Sequence, residues 1–192
     1  MSGTAVVNPD ATLTPSKLDL LKAWLPTQPW YKGGDASDAR IVGTFRFVDP
    51  AGEVGIETFL LRSGEFTYQV PLTYRGEALE DSSDYLVGEM EHSVLGHRWV
   101  YDAVGDPVYT DELNRVIREA DTEAELSVPR PKTVTVEGSG VVLVSNSTGQ
   151  MKLNRVVDPA PEASKTRVAV GSLEGRWSQD GAEKSASLAY LF

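Results

Sequence analysis

The alternation of apolar and polar positions changes period several times along the chain, and each change marks an element. Leu18, Leu21, Trp24 and Leu25 recur at helical spacing, so the first patterned segment reads as one amphipathic helix. Thr14 and Pro15 supply a cap and a first-turn proline for it, and Pro26 and Pro29 end it. From Ala39 the period is two. Ile41–Phe47, Val54–Leu61, Phe66–Tyr74, Tyr85–His92 and His97–Val104 read as five strands. Their separators include Asp49-Pro50-Ala51-Gly52, Ser63-Gly64 and Val94-Leu95-Gly96, short enough to make successive strands antiparallel neighbours. At Pro107 the helical period returns. Val108, Leu113, Val116 and Ile117 share its apolar face, with Asp111, Glu112, Arg115 and Arg118 assigned to the exposed side.

Pro129-Arg130-Pro131 marks a boundary. Beyond Lys132 the runs are short and β-type: Thr133–Glu137, Val141–Ser145, Met151–Val157, Thr166–Val170, Gly175–Trp177 and Ser187–Phe192. Asp158-Pro159-Ala160-Pro161-Glu162 reads as a turn or linker among them. The pattern predicts a loose N-terminus over 1–13, a helix-and-meander domain over 14–128, and a β-rich extension over 132–192 packed on the same sheet. A helix, a meander, a second helix and more strands make an α+β fold rather than a parallel α/β one.

Composition adds limits. The 192 residues, 41% hydrophobic and 24% charged, suffice for one generous domain without a metal or disulfide staple. Cysteine is absent, which removes disulfides, thiolate ligands and cysteine nucleophiles. A formal charge of −10 argues against nucleic acid and anionic membrane surfaces as partners. The first residues lack a basic n-region and an apolar run, and no stretch approaches the roughly 20 apolar residues of a span, so a cytoplasmic location is expected.

Candidate chemistry is sparse. His92 and His97 stand five apart across a turn, with Glu89, Glu91 and Asp102 near them in sequence. Glu89 and Glu91 are two apart on one strand, roughly 7 Å between side-chain origins. A small hydrolase using Glu89, Glu91, His92 and Asp102 is one reading; it requires those side chains to converge. The histidine spacing matches no helical ligand pair, and no phosphate-cradling glycine loop or nucleophile elbow is present, so no metal and no cofactor is expected. The aromatics suggest a surface instead. Trp30 and Tyr31 lie with Lys32 on a Pro-flanked turn, while Trp99 and Tyr101 alternate along a strand. A planar ring beside carboxylates is a common sugar platform, although Trp24 and Trp99 also suit a core.

Three segments carry a resemblance: PWYKGGDASDARI, EVGIETFLLRSGEFTYQVPLTYRG and LVGEMEHSVLGHRWVYDAVGDPVYTDEL. Within them stand a Trp-aromatic-Lys-Gly turn, a Tyr-x-x-Pro-Leu element (Tyr68, Pro71, Leu72), a Tyr-Asp-Ala segment (Tyr101, Asp102, Ala103) and the Asp106-Pro107 that follows it. In order and spacing they resemble the N-terminal cap domain of maltokinases and related aminosugar kinases, over roughly residues 14–120. They look closest to short actinobacterial proteins made of the cap-like domain alone. The resemblance implies a cystatin-like arrangement, a curved antiparallel sheet packed on one or two helices. It also implies a neighbourhood in maltose, trehalose and α-glucan metabolism. The kinases' chemistry lies in lobes after the cap, with a His-Gly-Asp loop. Neither His92-Ser93 nor His97-Arg98 is such a loop, so no residue is carried over as catalytic. The expectation is a non-catalytic accessory module binding a sugar kinase, another enzyme of that pathway, or a small carbohydrate. A structural homo-oligomer pairing at a sheet edge is the third reading. Trp30, Tyr31, Lys32, His92, His97, Trp99, Tyr101 and Asp102 are the candidate contact residues.

Overall fold

The computed structural model describes residues 3–141, 150–159 and 169–192. It is mostly β, a strongly curled antiparallel sheet with two short helices, and so broadly α+β. Helix α1 spans Lys17–Trp24 and α2 spans Pro107–Arg118. The meander comprises β1 (Arg40–Val48), β2 (Gly55–Ser63), β3 (Phe66–Arg75), β4 (Leu86–His92) and β5 (Gly96–Asp102). Its spatial order is β4-β5-β3-β2-β1, with Leu13–Thr14 paired outside β4. Each strand lies within two residues of its expected bounds, because short turns rich in Gly, Pro and Asp delimit them.

The N-terminal side departs from expectation. Thr14 is a strand residue opposite Glu91, and Ser16 caps α1 instead, its hydroxyl accepting from the Asp19 N–H at 3.2 Å. The stretch expected to be loose pairs twice, since Thr4–Ala5 also runs parallel to Glu125–Leu126.

The region after Lys132 forms a second sheet from β6 (Val134–Gly138), β7 (Met151–Leu153), β9 (Gly171–Gln179) and β10 (Ala182–Leu191), ordered β7-β10-β9-β6. The expected strand Met151–Val157 is two. After β7 the chain passes through Asn154 and Arg155 and changes sheet, and β8 (Val156–Asp158) pairs with β3 of the meander. The short runs expected at Gly175–Trp177 and Ser187–Phe192 are the middle and end of a long hairpin turning at Asp180-Gly181, both with positive φ. The expected Val141–Ser145 run lies outside the described residues from 142 on, as does Thr166–Val170 through 168.

Two cores share the meander. Phe59, Leu61, Tyr68, Val70, Leu72, Met90 and Val100 face α1, burying Leu21, Trp24 and Leu25. On the opposite face Phe45, Phe47, Ile56 and Leu60 meet Leu113, Val116 and Ile117 of α2 and Val134, Leu173, Trp177 and Leu188 of the second sheet. Strand β2 is therefore apolar on both faces. Helix α2 approaches β6 so closely that a side chain at Gly138 would stand 2.1 Å from the Val116 carbonyl oxygen. Asp106 caps α2 through the Val108 N–H at 3.0 Å, with Pro107 at the first position. Glu112, expected on the exposed side, is buried: it lies three residues after Tyr109 and beside Leu113, and holds Arg115 by two bonds of 2.7 and 2.9 Å.

Strand β3 has an unusual edge. Its C-terminal half pairs with β5 from Leu72 onward, while Thr67 and Tyr68 pair with β8. Pro71 sits where one partner gives way to the other. Gln69, two residues earlier, donates its N–H to the Arg155 carbonyl at 2.8 Å, so the donor that Pro71 lacks would point into the gap between the two partners.

Candidate functional site

The candidate residues separate onto two faces of the meander. On the α1 side, Tyr68 is the hub. Its ring lies 5.1 Å from Tyr31 and 6.0 Å from both Trp30 and Phe66, and its hydroxyl accepts from the Lys32 N–H at 3.1 Å. Trp30 also meets Trp24 edge-on at 5.7 Å. Tyr31 is pinned to the Ser63 hydroxyl at 2.8 Å, and Ser63 donates to Asp38 at 2.6 Å. The Lys32 ammonium lies 5.0 Å from the Phe66 ring centre. Burial raises the Tyr68 phenol above its ordinary range.

Asp102 joins this side, because it stands opposite Leu72 in the ladder. Its carboxylate is buried and binds the Arg155 guanidinium, which also stacks 4.7 Å from the Trp30 ring centre. The desolvated Asp102 carboxyl is pushed up, with Arg155 opposing the shift. Arg155 thus links the Trp30 turn, the Tyr68 strand and the Tyr-Asp-Ala segment. The sequence hides it because Met151–Val157 reads as one short β-type run. The polar pair Asn154-Arg155 in its middle is the signal that was available.

On the opposite face, Glu89, Glu91, His97 and Trp99 stand together on the β4–β5 hairpin. Glu91 is across from His97 and Glu89 across from Trp99. Both imidazole nitrogens are engaged, Nδ1 with Glu91 at 2.7 Å and Nε2 with Glu89 at 2.9 Å, and the ring meets Trp99 edge-on at 4.4 Å. A neutral imidazole can donate to one carboxylate and a protonated one to both. The Glu91 hydrogen bond, helped by Glu89, accordingly raises the His97 pKa above 6.5. Trp99, which also suited a core, is only half-buried here. Tyr101 shares the face but is buried, its hydroxyl accepting from the Leu79 N–H at 2.9 Å.

His92 points the other way. Its Nδ1 accepts from the N–H groups of Val94 and Leu95 at 3.2 and 3.1 Å, which fixes the turn and requires that nitrogen unprotonated. Burial, then Arg98 and Lys17, lowers its pKa. Glu89 and Glu91 thus lie on one face and His92 and Asp102 on the other, so the four groups of the hydrolase reading are not brought together.

Two further ionic clusters hold the frame. Glu57, buried on the α1 side, bonds Lys17 and lies 3.1 Å from Arg46. Burial pushes its carboxyl up, but the two cations outweigh that and hold it below its ordinary 4.5. Asp106 receives Arg75 in a two-pronged bond, both arms 2.7 Å.

None of the curated proteins compared with the chain matches it. Among protein families, the maltokinase N-terminal cap domain matches residues 24–106. That stretch contains the Trp30 turn, the Tyr68 strand, both faces of the β4–β5 hairpin and Asp106, and leaves α2 and the second sheet outside. Residues 24–106 of this chain resemble the maltokinase N-terminal cap domain.

Proposed function

We propose that the protein is a non-catalytic accessory module related to the maltokinase cap, with the cystatin-like arrangement that relation implies, serving maltose, trehalose or α-glucan metabolism. Its contact surface is the outer face of the β4–β5 hairpin, where it holds a small carbohydrate. The observation that carries this is the half-buried Trp99 ring bordered by Glu89, Glu91 and His97 inside the cap-like segment. The ring offers a flat apolar patch for the C–H face of a pyranose, and the carboxylates accept from its hydroxyls. The Trp30 ring is less suited to this, since Arg155 already stacks on it.

Calorimetry with maltose, trehalose and glucosamine tests the proposal. Saturable binding by the wild type that Trp99→Ala abolishes is expected. Absence of heat for all three sugars at millimolar concentration overturns it.

A second reading, docking on a sugar-metabolism enzyme, is favoured by Val94 and Leu95, which are 62% and 49% exposed at the tip of the same hairpin. Val94→Ser with Leu95→Ser would then abolish co-purification with a sugar kinase while leaving sugar binding intact.

A further inference from the structure

We propose that the gap where β3 changes partner is a guanidinium-binding slot, walled by the Trp30 ring and the Asp102 carboxylate, which this chain fills in cis with Arg155. The slot exists because β5 stops at Asp102 and β8 starts at Val156, on the same edge of β3, with Pro71 between their pairings. The two walls belong to the cap-like segment, while the occupant lies nearly fifty residues beyond the end of the family match.

The chemistry selects arginine. The guanidinium carbon lies over an indole, 4.7 Å from its centre, and one guanidinium nitrogen meets a carboxylate. Lysine has no plane to stack and no fork to present. The demand for a cation is built in. Asp102 is only 5% exposed, so without a positive partner it would be an unpaired buried carboxylate. The occupant is also incompletely bonded. Arg155 uses Nη2 on Asp102 Oδ2, while Nη1 and Asp102 Oδ1 are both buried without a partner. The guanidinium is held in place by its backbone as much as by its fork, because its carbonyl accepts from Gln69 and the next residues pair with β3. Arg155 is therefore a tethered ligand, and the extension is the strap that delivers it. A cap without this extension would present the same walls to the arginine of another chain.

The full-length chain carrying Arg155→Ala tests this, with methylguanidinium as the probe and methylammonium at equal ionic strength as the control. The substitution is expected to lower the melting temperature by about 6–20 °C, the effect of leaving a buried charge unpaired in a chain of this size. Methylguanidinium at ten times its Kd should return about 3–6 °C of that loss, and methylammonium less than half as much. The wild type, its slot full, should not respond. Asp102→Asn combined with Arg155→Ala should abolish the response, because the carboxylate wall is gone. Equal shifts in wild type and variant, or equal shifts with the two cations, would reduce the effect to general salt and overturn the proposal. If Arg155→Ala does not fold alone, methylguanidinium present during refolding must restore a cooperative transition; failure to do so also overturns it.

Discussion

The two faces of β3 are equally buried and chemically opposite. Tyr68, Val70 and Leu72 face α1 among apolar and aromatic side chains. Thr67, Gln69 and Thr73, each with no exposed surface, face the second sheet and the start of α2. On the polar face the contacts are directional. Thr67 donates to Gln179 at 2.9 Å, and the Gln69 amide donates to the carbonyls of Asn154 and Leu188 at 3.0 and 2.9 Å. An apolar face accepts any cover of the right shape, because burial is roughly proportional to area and has no direction. A buried polar face accepts only a cover that presents the matching partners in place. Over β3 the α1 side is thus held by the amount of surface buried and the second sheet by recognition, while over β1 and β2 the second sheet too rests on apolar burial. The extension is part of how the meander's sheet is completed.

The comparison can be broken at several points. The largest effect is expected on the apolar side: Leu61→Ala should cost about 2–5 kcal/mol in urea unfolding, since Leu61 is wholly buried. Gln69→Leu should cost about 1–3 kcal/mol, because it keeps the volume but removes the donor from two buried carbonyls. It should also speed hydrogen exchange in β8 and β10 while leaving α1 protected. Should Gln69→Leu prove neutral, the second sheet is held by area over β3 as well, and the contrast fails.

Acid probes the ionic part of the α1 side. Glu57 has its folded pKa held below the ordinary 4.5. Its stabilisation is therefore complete above the unfolded value and is lost as pH falls through the folded one. A melting-temperature series from pH 6 to pH 3 should fall less steeply for Glu57→Gln than for wild type. The smallest effect concerns the hairpin. Glu91→Gln should bring the His97 titration, followed by NMR, down toward 6.5, with the melting temperature unchanged well above the folded value and slightly lower below pH 6.5. The sign is opposite to that of Glu57: what His97 contributes is present below pH 6.5 and fades as pH rises through its higher folded value.

The meander was legible because its strands alternate and its turns are short. The Asp106-Pro107 start of α2 was legible for its own reason, since cap and first-turn proline are adjacent. At α1 the same logic misled: Thr14-Pro15 looks like a cap pair, but Ser16, two residues on, is the one that accepts from the Asp19 N–H. The division of Met151–Val157 could not be read from apolar periodicity. Asn154 and Arg155 fall on opposite faces of what reads as a single strand, and only their contacts show where each goes, Asn154 to the Ser187 carbonyl and Arg155 to Asp102 at the gap beside Pro71. Asp180-Gly181 is a strong hairpin signal that joins β9 to β10. Among the candidate residues, sequence proximity suggested a single cluster. Alternation along β4 and β5 splits it instead, sending His97 and Trp99 one way and His92 and Asp102 the other.

The shared edge of β3 also imposes an order in time. Asp102, the last residue of the meander, and Arg155 are 53 residues apart in the chain. At ribosomal rates of about 5–20 residues per second, the meander waits on the order of 3–11 s for the segment that completes its edge. During that interval a nascent chain presents unpaired backbone beside Pro71 and a buried-type carboxylate at Asp102 with no counter-charge. That is an opening for a chaperone or for a neighbouring copy. Pro71 itself narrows the exposure, because it removes the amide that an intruding strand would grip at the centre of the open stretch.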